Sequence, residues 1–132
     1  HDNVQTVLSG MSPMEQVIDN VKTFSEIEPL NTEEQATIDQ ARQLFQARIQ
    51  VPCTGCRYCM PCPFGLDIPK NFQLLNTAHV YNVHAAQKES YDALGVSAKA
   101  SHCQKCGVCK TKCPQHIDIP TEMKKVVQEF EK

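Results

Sequence analysis

At 132 residues the chain has room for one domain of ordinary size with an appendage. Thirteen Lys and Arg against 15 Asp and Glu leave a formal charge of −2, which excludes the basic footprint of a nucleic-acid or anionic-membrane binder. No apolar run approaches the roughly 20 residues of a membrane span, and no signal peptide is visible, so the expected location is cytoplasmic. Hydrophobic residues make up 41%, but Trp is absent and aromatics are 6%, so side-chain packing alone would build a modest core and further support is expected. The chain opens at His1 rather than Met, which reads as a piece cut from something longer.

In chain order, Val4 to Leu8 has the pattern of a single strand closed by Ser9-Gly10, yet no second strand is in sight for it to pair with. Ser12-Pro13-Met14-Glu15 combines an N-cap, a first-turn Pro and a capping-box Glu, and predicts a helix carrying Val17, Ile18, Val21 and Phe24. Thr32-Glu33-Glu34-Gln35 reads as a second capping box, ahead of the apolar stripe Ile38, Ala41, Leu44, Phe45 and Ile49. A helix starting near Pro69 presents Phe72, Leu75, Ala78 and His79, and one starting near Pro120 presents Met123, Val126, Val127 and Phe130. Between them, Tyr81 to Leu94 is rich in helix formers before Gly95 supplies a stop.

The eight cysteines fall into two groups, Cys53, Cys56, Cys59, Cys62 and Cys103, Cys106, Cys109, Cys113, with none left over. The groups belong to an internal repeat. Cys62-Pro63-Phe64-Gly65-Leu66-Asp67-Ile68-Pro69 recurs as Cys113-Pro114-Gln115-His116-Ile117-Asp118-Ile119-Pro120, 51 residues on, while the first three cysteines recur at 50. The first motif is therefore C-x2-C-x2-C-x2-C-P and the second C-x2-C-x2-C-x3-C-P. A reducing compartment argues against disulfides, and zinc ribbons separate paired C-x2-C knuckles by longer loops.

Three cysteines at successive intervals of three wrap a loop around one face of an iron–sulfur cubane, and the fourth ligand comes from elsewhere. In the bacterial ferredoxin pattern the Cys of Cys-Pro ligates the other cluster. That rule assigns Cys53, Cys56, Cys59 and Cys113 to one [4Fe–4S] cluster, and Cys103, Cys106, Cys109 and Cys62 to a second. Gly55 and Gly107 can take positive φ and turn backbone N–H groups toward cluster sulfur. Arg57, Lys105, Lys110 and Lys112 either add positive charge there or simply solvate exposed loops. Tyr58 is expected to pack over the cluster as an apolar shield. His79, His84, His102 and His116 take surface or core roles, since the cysteine set is already complete. No catalytic set is legible, as every cysteine is assigned to metal.

The strings Cys53-Thr54-Gly55-Cys56-Arg57-Tyr58-Cys59-Met60-Pro61-Cys62-Pro63, Asp67-Ile68-Pro69 and Cys113-Pro114-Gln115-His116-Ile117 resemble the C-terminal ferredoxin-like domain of iron–sulfur aldo/keto reductases. The resemblance implies a mostly α fold: an α-helical ferredoxin-like domain over 30–132 with two cysteine-rich cluster loops, preceded over 1–29 by a remnant of a (β/α)8 barrel. It further implies that Ser9, Gly10, Met11, Gln16 and Asn20 contact NADPH in the full-length parent, and that the barrel's catalytic residues lie outside this chain. The partners so implied are the barrel domain of the same polypeptide and a further redox protein. The expected function is a relay of single electrons for an aldo/keto reductase-like oxidoreductase. The alternatives are a metal-stapled docking module without redox turnover and a sensor that signals by losing its cluster.

Overall fold

The computed structural model describes residues 4–25 and 27–132 and is mostly helical, with no strand among the described residues. His1, Asp2, Asn3 and Glu26, all within the 1–29 segment, lie outside them. Two compact units divide between Ile38 and Asp39.

In the first unit, Val4 to Ser12 has no regular structure and Leu8 is 94% exposed. The expected strand at Val4 to Leu8 does not form. A strand closes its backbone hydrogen bonds only through a neighbour, and none is present among the described residues. Helix α1 (Met14–Ser25) follows, with Ile18, Val21 and Phe24 all exposed. Its N-terminal turn is closed by Gln16 rather than Glu15: the Ser12 N–H donates to Gln16 Oε1 at 3.1 Å. Helix α2 (Thr32–Arg48), which begins in the first unit and continues into the second, is capped one residue earlier than expected. Asn31 Oδ1 accepts from the N–H groups of Glu33 and Glu34 at 2.9 and 3.0 Å, while Glu34 returns a carboxylate to the Asn31 N–H at 2.9 Å. No α2 residue is buried, so its apolar stripe forms without being covered.

The second unit holds α3 (Ile68–Tyr81), α4 (His84–Asp92), α5 (Val108–Thr111) and α6 (Ile119–Phe130), with short 3₁₀ turns at Val96–Ala98 and Ala100–His102. Helices α3 and α6 begin alike, each with the repeated Asp as N-cap and Pro in the first turn. Their apolar faces supply most of the core: Ile68, Phe72, Leu74, Leu75 and Ala78 from α3, and Ile119, Met123, Val126 and Phe130 from α6. Each large side chain so buried contributes about 1.5–3 kcal/mol. Leu66 and Ile117, equivalent in the repeat, add to the same core. The helix expected over Tyr81 to Leu94 is shorter at both ends. Helix α3 runs on through Tyr81, and Asn82 caps it in the left-handed conformation at φ 55°, which forces a break before His84.

Tyr91 is the largest fully buried side chain, and its ring stacks on Phe130 with centroids 4.9 Å apart. Its hydroxyl accepts from the Ala100 N–H at 2.9 Å and donates to Glu131. Burial alone would raise the Glu131 carboxyl, but hydrogen bonds from Tyr91 and Ser101 hold it below the usual range. Tyr91→Phe leaves the buried Ala100 N–H unpaired, which should cost about 1–3 kcal/mol in urea unfolding at pH 7. A depressed carboxylate stabilises above its unfolded pKa and loses that contribution as pH falls through its folded value. The deficit of Tyr91→Phe should therefore narrow below pH 4.5, the ordinary Glu value.

Candidate metal centre

The two cysteine loops share one backbone. Gly55 and Lys105, 50 residues apart, have φ of 70° and 54°; Arg57 and Gly107, again 50 apart, have 65° and 79°. Gly65 and His116, offset by 51, have 85° and 53°. At each pair one repeat carries Gly and the other a polar residue bearing the cost of the left-handed region. Successive residues alternating between ordinary and positive φ turn their N–H groups to one side, the arrangement that receives anionic sulfur. Beyond the third cysteine the repeats diverge. The longer second spacing is taken up by α5, whereas the first passes through Met60 and a cis peptide to Pro61.

Each loop is tied down just ahead of its first cysteine, at equivalent backbone positions. Asn76 Oδ1 accepts from the N–H groups of Gln50 and Val51, both at 3.0 Å, and Asn76 Nδ2 donates to the Val51 carbonyl at 2.7 Å. Fifty residues on, the N–H groups of Ala100 and Ser101 are held by Tyr91 Oη and Glu131 Oε1, at 2.9 and 3.3 Å. A third tie is Asn71, fully buried, whose amide donates to the carbonyls of Asp67 and Ala98 at 2.8 and 2.7 Å.

All eight thiols are free of disulfides. Cys53, Cys59, Cys62, Cys103, Cys109 and Cys113 pack against the core, while the middle cysteine of each loop, Cys56 and Cys106, is exposed. Cys53, Cys56, Cys59 and Cys113 line one cavity of about 320 Å³ including its open mouth, walled by Ile68, Phe72, Ile117 and Ile119. Thus the Cys-Pro cysteine of the second repeat completes the loop of the first. Burial pushes the Cys59 thiol up to about 11, with further increments from thiolate charge on Cys53, Cys109 and Cys113. Burial also raises Cys53, helped by Cys56 and Cys113 and opposed by a hydrogen bond from the Gly55 N–H. Cys109 is raised by burial and by Cys103, Cys106 and Cys62, so Cys62 acts on the second loop as Cys113 acts on the first.

The charged residues near the loops are more committed than the sequence suggested. Arg57 pairs with Asp67 at 3.6 Å and Lys110 with Asp118 at 2.8 Å, so each loop is tied to the N-cap of the helix that follows it. The Lys110 ammonium holds the Asp118 carboxyl below the usual range. Among the described residues no ion pair involves Lys105 or Lys112. Tyr58 is 68% exposed and does not line the cavity; it sits at the loop tip after the left-handed Arg57 and shields nothing there. His102 is half-buried and His116 exposed, the latter occupying a turn position.

Ser9, Gly10, Met11, Gln16 and Asn20 are exposed or half-buried in the first unit, where Asn20 Nδ2 donates to Ser9 Oγ at 3.2 Å and Gln16 closes the α1 turn. None of the five carries a positive charge to pair with the phosphates of NADPH, and nothing in the structure supports a nucleotide site there.

Thiols gathered into two groups and none spent on a disulfide, with Cys53, Cys59 and Cys109 raised by burial and by neighbouring thiolate charge, offer soft donors that fit iron–sulfur. The chain belongs to the 4Fe-4S dicluster domain family, whose model matches residues 52–118 and so takes in all eight cysteines. Comparison with curated proteins and with solved structures found no match. No helix among the described residues is long and apolar enough to cross a membrane.

Sequence reasoning missed Asn71, Asn76 and the Tyr91–Glu131 pair, none of which recurs in the repeat. Nor did it find the positive φ of Arg57 and Lys105, though each stands 50 residues from a loop glycine. Nothing lies within 4 Å of a Cβ added at Gly107, so Gly107→Val meets only the left-handed backbone. It should lower stability by about 1–2 kcal/mol in thermal unfolding of the cluster-loaded protein. Gly107→Asn should recover most of that loss.

Proposed function

We propose that the chain relays single electrons through two [4Fe–4S] clusters with crossed ligation, one held by Cys53, Cys56, Cys59 and Cys113, the other by Cys103, Cys106, Cys109 and Cys62. The observation that carries this reading is Cys113, supplied by the second repeat and lining the cavity of the first loop. When bound, such clusters supply reversible one-electron transfer. The chain's own part is to hold the thiolates, to offer loop N–H groups to added negative charge, and to exclude water with Ile68, Phe72, Ile117 and Ile119. The effect of Cys109 on Cys59 supports two groups near enough for a relay.

The resemblance of the cysteine strings to iron–sulfur aldo/keto reductases supports placing this domain, residues 30–132, at the C-terminus of such an oxidoreductase. Residues 1–29 would then be the end of its barrel. In that setting the barrel of the same polypeptide and a second redox protein are the partners, in a cytoplasm that keeps thiols reduced. The hydride chemistry would belong to the barrel, since no catalytic set lies in this chain.

Protein purified without air should contain about eight iron and eight sulfide per chain. Dithionite should bleach its visible absorption and produce a paramagnetic resonance signal. Full iron content with no reduction would favour the staple reading over the relay. Crossing has its own test. Cys53→Ala/Cys113→Ala removes two ligands from one cluster and should leave about four iron in one intact cluster, whereas uncrossed ligation would leave each cluster with three ligands and alter the resonance spectra of both.

A further inference from the structure

Away from the cysteines, three side chains from three helices converge. His79, near the end of α3, places Nε2 3.1 Å from Glu129 Oε2, and His84, the first residue of α4, places Nδ1 2.6 Å from Glu129 Oε1. The three donor atoms lie within 4.8 Å of one another, and the imidazole rings meet edge to face with centroids 4.9 Å apart. His79 and Glu129 are half-buried and His84 is 44% exposed, so the cluster is held by the fold yet open on one side.

We propose that His79, His84 and Glu129 form a three-ligand site for a divalent transition ion of the zinc type, separate from the cysteine centres. The donor set is two imidazoles and one carboxylate, which suits a borderline ion and leaves a fourth position for water. Bonds of about 2.0–2.1 Å around a tetrahedral ion separate its ligand atoms by about 3.3 Å. The two nitrogen–oxygen pairs stand at 3.1 and 2.6 Å, each to a different oxygen of Glu129. Binding through one of those oxygens therefore needs a turn of the carboxylate, with an opening of the two hydrogen bonds and a closing of the two nitrogens. In neutral imidazoles the proton now shared with Glu129 moves to the opposite ring nitrogen, His79 Nδ1 or His84 Nε2, and the freed lone pair meets the ion. Burial would raise the Glu129 carboxyl, but its bonds to His84 and His79 hold it below the usual range, so the ligating, charged form is the resting one. An ion here would fasten α3, α4 and α6 at one point, and its binding would add to the stability of the folded unit.

The test is zinc chloride titrated into the cluster-loaded chain against a chromogenic chelator, so that the cysteines are already occupied. One saturable equivalent is expected, with zinc K-edge absorption showing nitrogen and oxygen near 2.0 Å and no sulfur near 2.3 Å. His84→Ala and, separately, Glu129→Gln should each weaken binding by about tenfold or more, with cluster absorption per chain unchanged. The zinc-induced rise in melting temperature should vanish with them. No saturable binding, a sulfur shell around the zinc, or unchanged affinity in His79→Ala/His84→Ala would overturn the site.

Discussion

Four thiols brought into one half-buried space repel one another as soon as they ionise, and most of this structure can be understood as the means of holding them there. Burial and mutual charge raise Cys53, Cys59 and Cys109 together. The gathered groups are therefore unfavourable as thiolates and favourable only once a cationic cluster core takes the place of the protons. Such a site cannot be made from the loops alone. The penalty is met by the core behind them, against which six of the eight cysteines pack. A chain with few aromatics and no Trp thus draws stability from two sources at once, and each depends on the other.

The twofold repeat is kept in the backbone and relaxed in the side chains. Equivalent residues take positive φ in both halves, but glycine stands in one half and Arg, Lys or His in the other. Equivalent N–H groups ahead of each loop are tied by Asn76 in one half and by Tyr91 with Glu131 in the other. The shared requirement is a loop whose N–H groups face inward and whose start cannot move. Any residue that meets it at tolerable cost can serve, so the two halves have arrived at different solutions to the same geometry.

That division explains what could be read from the sequence. Cysteine spacing, the Asp-Ile-Pro helix starts and the apolar faces of α3 and α6 are local patterns, and the structure carries each of them at the expected place. The caps of α1 and α2 were off by one residue because Gln16 and Asn31 can satisfy the same orphan N–H groups as the neighbours first chosen. The break at Asn82 was hidden because asparagine is an ordinary polar residue until its backbone turns left-handed. The ties from Asn71, Asn76 and Glu131 span 25 to 30 residues and follow no period. No local pattern announces them. The lone strand failed for the opposite reason: its local pattern is sound, but strand structure belongs to the pair and not to the segment.

The exposure of the cysteines gives the proposed relay a direction of approach. Cys56 and Cys106, the middle residues of their loops, face solvent, while Cys59 and Cys109 are drawn in against the core. Each group thus has one exposed corner, which the proposed relay would offer to a partner. The ion pairs Arg57–Asp67 and Lys110–Asp118 stand beside these loops and neutralise Arg57 and Lys110 locally, while Lys105 and Lys112 are in no ion pair among the described residues. The second loop thus keeps two cations beside its exposed Cys106 corner, in a chain whose net charge is only −2.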